Sequence, residues 1–344
     1  MNHYMAELAT HYAQKFDVVF SGAAQVARTT AGFLSEDIPF SEASVYQLLQ
    51  DNVSGNPAVY GSAAAFEEGA FPTDKKLFGP YVCRNLSKDP NTQDPFREIN
   101  IGENAYDYRK WDWYRLPKEK RQGLWTEPYL DQGAGNVIMS TYSTPIVKNG
   151  KFQGVATVDI RVQDIQAMLE TDGLVSKDSF VIISHEGRYI SHPKPEYILN
   201  ETVFSNAQLT SRPELLPLGK KMIAGEKGSA LIKDFRSPKK IFLFYAPIPS
   251  TGWSFAATVP EEEIMLPVWQ QLARFGLSML AGLFVMMILL LIIASKITKP
   301  VIEFSNAAKK IGAGNFDLPL KSSYGKDEFG DLAESFKKMA KDLK

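Results

Sequence analysis

Hydrophobic positions recur at helical spacing near both ends of the chain and at strand spacing between them. Phe16, Val19, Ala23, Val26, Thr30 and Phe33 advance by alternating steps of three and four, and Phe20, Ala24 and Ala27 widen the stripe. This heptad seam predicts a long helix that meets both its own domain and a partner helix, a stalk and dimerisation element over 1–50. After Asn56-Pro57 the period changes to two. The runs 58–66, 136–147 and 154–162 predict strands, with a further apolar run around Tyr81. Residues 148–151 form a hairpin turn, and 164–171 reads as helix. A polar stretch at 84–105 reads as loop. A second set follows: strand-turn-strand at 179–192, a hairpin from 228–235 and 241–248, and a last strand at 252–260. Antiparallel strands with helices on one side make this an α+β fold.

Between Arg274 and Lys296 the pattern loses all polarity. Residues 275–295 contain no charge over 21 positions, which as a helix spans roughly 31 Å, the thickness of a bilayer core. Beyond it, Ile297, Val301, Phe304, Ala308 and Ile311 form one heptad stripe, and Phe329, Leu332, Phe336, Met339 and Leu343 form another. Neither stripe can be buried by one helix, so a parallel four-helix bundle across a homodimer is the expected arrangement. The organisation read from these changes is a helix at 1–50, a first sheet module at 51–172, a second at 173–264, a membrane helix at 265–296 and a paired helical segment at 297–344.

Charge orients this arrangement. Residues 296–344 carry 10 Lys against 7 acids, whereas 1–274 carry 28 basic and 32 acidic side chains. The positive-inside tendency places 296–344 in the cytoplasm and 1–274 outside the inner membrane, with a second span expected ahead of residue 1. The whole chain is nearly neutral, with 38 Lys and Arg against 39 Asp and Glu, which argues against nucleic acid as a partner. A single cysteine, Cys83, excludes an internal disulfide. Four scattered histidines (His3, His11, His185 and His192) suggest no metal centre, and no cofactor motif is present. A membrane-tethered extracytoplasmic enzyme is the rival class, but no nucleophile–base constellation supports it.

The chemistry concentrates in 106–159. Tyr106, Trp111, Trp113 and Tyr114 are followed by Tyr129 and Asp131, and Asp159 closes the strand GVATVDI where the alternation turns inward. A buried carboxylate needs a cation or donors, and aromatic faces attract ammonium groups. These seven residues are the candidate ligand site. Tyr142 reads as structural, and His192 as a turn or minor pocket residue.

The order of a long helix, two PAS-like modules, an apolar helix and heptad helices around GAGNFDLPLKSSYGK (312–326) and Asp327-Glu328-Phe329-Gly330 resembles bacterial double-Cache receptors with a HAMP domain. The ending YAPIPSTGWSFAATVPEEEI (245–264) is similar to the last strands of such sensors. The resemblance implies a signal receptor whose first module binds a small ligand, and an output domain beyond residue 344. It also implies an amino-acid-binding pattern at Tyr106, Trp111, Trp113, Tyr114, Tyr129 and Asp159. At Trp111 the pattern has a carboxylate-binding Arg, which this chain lacks; Arg109, two residues away, is the available substitute. Without that fork of donors, an amine or quaternary ammonium compound is the expected ligand, with an amino acid or carboxylate as the alternative.

Overall fold

The computed structural model describes residues 2–87, 94–103, 106–132, 136–170, 179–318, 320, 324–325 and 327–343. The expected boundary at 172/173 lies outside the described residues, as do parts of the 84–105 loop and of the 312–326 connector. Two compact units result, Met1–Ile264 and Met265–Lys344.

In the first unit, α1 (Asn2–Ser35) and α2 (Glu42–Ser54) precede a seven-stranded antiparallel sheet. Its strands are β1 (Gly61–Phe66), β2 (Pro80–Arg84), β3 (Phe96–Asn100), β4 (Leu124–Trp125), β5 (Tyr129–Leu130), β6 (Ile138–Lys148) and β7 (Lys151–Arg161). They run in the order β3-β2-β1-β7-β6-β4, with β5 also on β6. Helix α3 (Asp112–Lys120) packs on β6 and β7, and α4 (Val162–Glu170) leaves β7. A five-stranded antiparallel sheet follows: β8 (Phe180–Ile183), β9 (Tyr189–Ser191), β10 (Gly228–Lys233), β11 (Lys240–Ile248) and β12 (Trp253–Pro260). Its order is β10-β11-β12-β8-β9, with α5 (Val203–Leu209) and α6 (Leu215–Ile223) on one face.

Two local differences from the sequence pattern have physical causes, and one expected turn shows its own. The helix expected over 1–50 is two helices, because Pro39 cannot extend α1. Ser41 then starts α2 in a reciprocal capping box with Ser44. The polar stretch at 84–105 contains β3, an edge strand whose half-exposed residues tolerate polar side chains. The β6–β7 turn is formed by Asn149 and Gly150, both at positive φ, 52° and 75°, the twist that a two-residue hairpin requires.

The heptad seam of α1 is largely spent inside its own chain. Phe16, Phe20, Ala23, Ala24 and Ala27 are buried in one core with Trp125, Tyr142 and Val158 of the first sheet and Phe180, Trp253 and Phe255 of the second. Phe20 stands edge-on to Trp125 at 5.3 Å and to Trp253 at 5.0 Å. One helix therefore joins both sheets. Of the remaining seam positions, Thr30 is buried, Val19 and Val26 are half-buried, and Phe33 is exposed against Phe40.

The second unit is helical. α7 (Glu261–Ile293) begins within the first unit and carries the apolar stretch, long and apolar enough to cross a membrane and exposed along that stretch. A π-helical turn at Ala294–Thr298 leads into α8 (Lys299–Gly312), and α9 (Glu328–Asp342) follows, N-capped by Asp327 on Gly330 N–H. The two helices meet on Phe304, whose ring lies 5.8 Å from Phe336 and 6.3 Å from Phe329. Ile297, Val301, Leu332, Met339 and Leu343 of the same stripes are exposed.

Candidate ligand site

The pleat of the first sheet builds the floor of a cavity. Asp159 lies opposite Gly61 of β1 and Thr141 of β6, and Thr157 lies opposite Ala63. Residues two apart point to one face, so Thr157 and Asp159 of β7 and Met139 and Thr141 of β6 line the same wall. Tyr81 enters from β2; Ile101, Tyr106, Trp113, Tyr129 and Asp131 close the other side. The volume is about 30 Å³, room for roughly two water-sized groups.

A relay of hydroxyls holds the acid. Thr141 Oγ1 donates to Asp159 Oδ1 at 2.7 Å. With its proton committed there, Thr141 Oγ1 accepts from Tyr129 Oη at 2.8 Å. Asp159 is buried, and among the described residues no Lys, Arg or His lines the cavity. Burial pushes its carboxyl up to about 7, opposed by the Thr141 hydrogen bond and reinforced by the charge of Asp131. The Tyr81 hydroxyl is close enough to favour the charged form but falls short of hydrogen-bond geometry. Burial likewise pushes Tyr106 up to about 12 and Tyr129 well above its ordinary value, so both keep their protons.

Five of the seven sequence candidates line this cavity: Tyr106, Trp113, Tyr129, Asp131 and Asp159. Two do not. Trp111 stacks on Tyr106 at 5.8 Å and tilts on Tyr129 at 6.3 Å, supporting the wall from behind. Tyr114 is fully buried and donates to Glu67 Oε1 at 2.7 Å, so its hydroxyl is committed elsewhere. Arg109 is not a lining residue either; its guanidinium binds Asp107 at 2.8 and 3.2 Å and reaches Glu68 at 3.5 Å. Tyr142 accepts from Arg28 Nε at 2.9 Å beneath α1. The sequence reading missed Thr141, Thr157 and Met139, which a period-two count from Asp159 and across the hairpin reaches. Tyr81 and Ile101 carry no such local signal.

The cavity offers carboxylates, hydroxyls and aromatic faces, with no cation among its lining residues. Its complement is a small cationic group that can donate hydrogen bonds.

Comparison with known proteins agrees with the fold. Residues 45–167 match the methyl-accepting chemotaxis protein-like first PDC sensor domain, and residues 292–344 match the HAMP domain. The methyl-accepting chemotaxis protein McpC of Bacillus subtilis is 27% identical over 70% of this chain, and the chain spans 33% of its length. The extracellular domain designated histidine kinase mmHK1S-Z3 superposes with a TM-score of 0.64 at 25% identity, covering 78% of this chain and 97% of that one. The ligand-binding domain of the Pseudomonas aeruginosa amino acid chemoreceptor PctC, in complex with GABA, superposes at 0.52 with 20% identity over 75% and 99%. The chain thus carries a segment that matches a PDC-type (Cache) sensor domain, a helix long and apolar enough to cross a membrane, and a segment that matches the HAMP domain, an arrangement similar to that of chemotaxis receptors.

Proposed function

We propose that the receptor senses a small amine outside the inner membrane; a quaternary ammonium, the other cation expected from the sequence, has no N–H to give the Asp159 carboxylate. The observation that carries this reading is Asp159: a buried carboxylate held by the Thr141 hydroxyl, in an aromatic cavity whose lining contains no cation among the described residues. A primary ammonium would complete it, accepted by the Asp159 and Asp131 carboxylates and packed on Tyr106, Trp113 and Tyr129. Each aromatic contact contributes about 0.5–2 kcal/mol when desolvated. The seven candidates divide into five that contact ligand, and Trp111 and Tyr114, which hold the wall.

In this reading 1–274 face outward and 296–344 the cytoplasm, following the charge asymmetry about the apolar helix. The exposed apolar positions of α8 and α9 support pairing with a second copy in a four-helix bundle. Ligand favours one of two conformers by its differential affinity, and α7 conveys that bias to the HAMP helices. The role is that of a sensor rather than a catalyst.

A second reading, an amino-acid sensor, draws on PctC, whose ligand GABA is a zwitterion. It requires a cationic partner for a carboxylate, and Arg109 is occupied by Asp107. A thermal-shift screen of residues 1–264 against alkylamines, amino acids and organic acids separates the two. Amines are expected to raise the melting temperature by mass action. Stabilisation by amino acids or carboxylic acids with none by amines would overturn the amine reading.

A further inference from the structure

The second module contains a cluster of opposite electrostatic sign. His192 is buried among Tyr189, Tyr197 and Phe235, with ring centroids 4.4, 4.9 and 4.7 Å away. Lys194 N–H donates to His192 Nδ1 at 3.0 Å. That nitrogen is therefore an acceptor, and a neutral imidazole must carry its proton on Nε2. Burial, followed by the positive charges of Lys194, Arg212 and Arg236, keeps the ring neutral, holding it down to about 3 despite the Lys194 hydrogen bond.

His192 Nε2–H is thus a donor, and among the described residues nothing accepts from it. The hydroxyl of Tyr189, whose ring packs against that of His192, is buried and equally without a partner. Leaving a buried polar group unsatisfied forfeits the hydrogen bonds it made to water, and here both groups can supply a proton. What this part of the module lacks is an acceptor.

Its surroundings indicate which acceptor. The guanidinium of Arg212 lies over Phe235 at 5.1 Å and the ammonium of Lys194 over Tyr197 at 5.3 Å. Arg212 also donates to the Lys233 and Asp234 carbonyls, and Arg236 to the Pro193 carbonyl. The nearby acids are already engaged: Glu214 faces Arg212 at 3.4 Å, Asp234 accepts from Ser237, and Glu201 from Ser205. Two neighbouring buried donors without partners, on rings in contact and with cationic side chains nearby, match the two oxygens of one carboxylate, while the aromatic rings suit an apolar tail. Phosphate or sulfate, with more oxygens and stronger hydration, would leave acceptors unmet.

We propose that the second module holds its own ligand site, for a small aliphatic monocarboxylate whose oxygens accept from His192 Nε2–H and Tyr189 Oη–H. This goes beyond the reading of the first module and does not depend on it.

The test uses the full chain in lipid nanodiscs, titrated calorimetrically at pH 7 with acetate, propionate and butyrate, and with phosphate, sulfate and chloride at matched ionic strength. Saturable binding of at least one carboxylate is expected, weakened about tenfold or more in Tyr189→Phe and in His192→Phe. Because Tyr189→Phe deletes an unpaired donor, its ligand-free melting temperature should stay level or rise, so the test stands even if His192→Phe fails to fold. The proposal is overturned by the absence of saturable carboxylate binding, or by binding of the inorganic anions alone. It is equally overturned if Tyr189→Phe binds carboxylate as tightly as the parent; a lowered ligand-free melting temperature alongside would assign the hydroxyl to buried water.

Discussion

Glu127 Oε1 lies 3.1 Å from His185 Nδ1, joining the β4–β5 connection of the first sheet to the β8–β9 turn of the second. The same oxygen accepts from Glu186 N–H at 3.3 Å, and Arg188 Nε stands 3.8 Å from the other oxygen. The preceding residue, Thr126, is locked to β6: its N–H donates to Thr141 O, and its Oγ1 accepts from Thr141 N–H. Thr141 in turn holds Asp159. A short run of bonds therefore leads from the cavity wall to the second module. Glu127→Ala should loosen the 184–188 turn while leaving its own sheet folded, at a cost of about 1 kcal/mol. Hydrogen exchange should report faster exchange at Glu186 and Arg188, with β8 and β12 protected as before.

Asp159 makes the empty sensor sensitive to pH. Its folded carboxyl titrates near 7, above the ordinary value of 3.8. As pH rises, the unfolded chain releases this proton first, so stability present below pH 4 is lost between about pH 4 and 7, by on the order of 4 kcal/mol at most. Asp159→Asn should flatten the profile and raise the melting temperature at pH 8. An unaltered slope in the variant would assign the dependence to other groups.

Ammonium binding requires the ionised carboxylate. Amine affinity should therefore fall about tenfold per pH unit below 7 and level off above it. Titrations with methylamine from pH 5.5 to 8.5 on the same unit measure this directly. Equal affinity across that range would count against Asp159 as the anionic partner.

Gly61 sets the position of Tyr81. A Cβ at this residue would stand 2.3 Å from Tyr81 Oη, so Gly61→Ala must displace the ring that faces Asp159. The expected cost is about 1–3 kcal/mol of stability from overpacking, with amine affinity lowered more than ten-fold. A variant of normal affinity would show that Tyr81 can move without consequence.

Phe20→Ala removes the ring shared by Trp125 and Trp253. It should cost about 3–5 kcal/mol, and near-ultraviolet circular dichroism should show both sheets losing tertiary order in one transition.

The sequence exposed the fold best where a single period governed. The β6–β7 hairpin, the β10–β11 hairpin and the apolar helix all lie within a few residues of their expected places, because alternation and the Asn149-Gly150 turn are local properties. The aromatic residues were harder to assign. Trp113 and Tyr114 are neighbours on α3 and look equivalent in sequence, but successive helical residues point about 100° apart. Trp113 consequently faces the cavity while Tyr114 turns to Glu67 and Phe152. Tyr81 reaches Asp159 only through the order of β2, β1 and β7, which the chain does not write locally. The α1 seam meets its own domain as expected, but heptad spacing records that a stripe is covered, without recording by what.

The position of α1 restricts how such sensors can be recombined. Phe16, Phe20 and the alanines that follow them belong to the interior of both sheets at once. Transplanting the first module into another receptor without residues 2–35 would strip an apolar strip from the recipient's second module as well. Swaps that preserve folding should therefore exchange the opening helix together with whichever sheet it was shaped to fit.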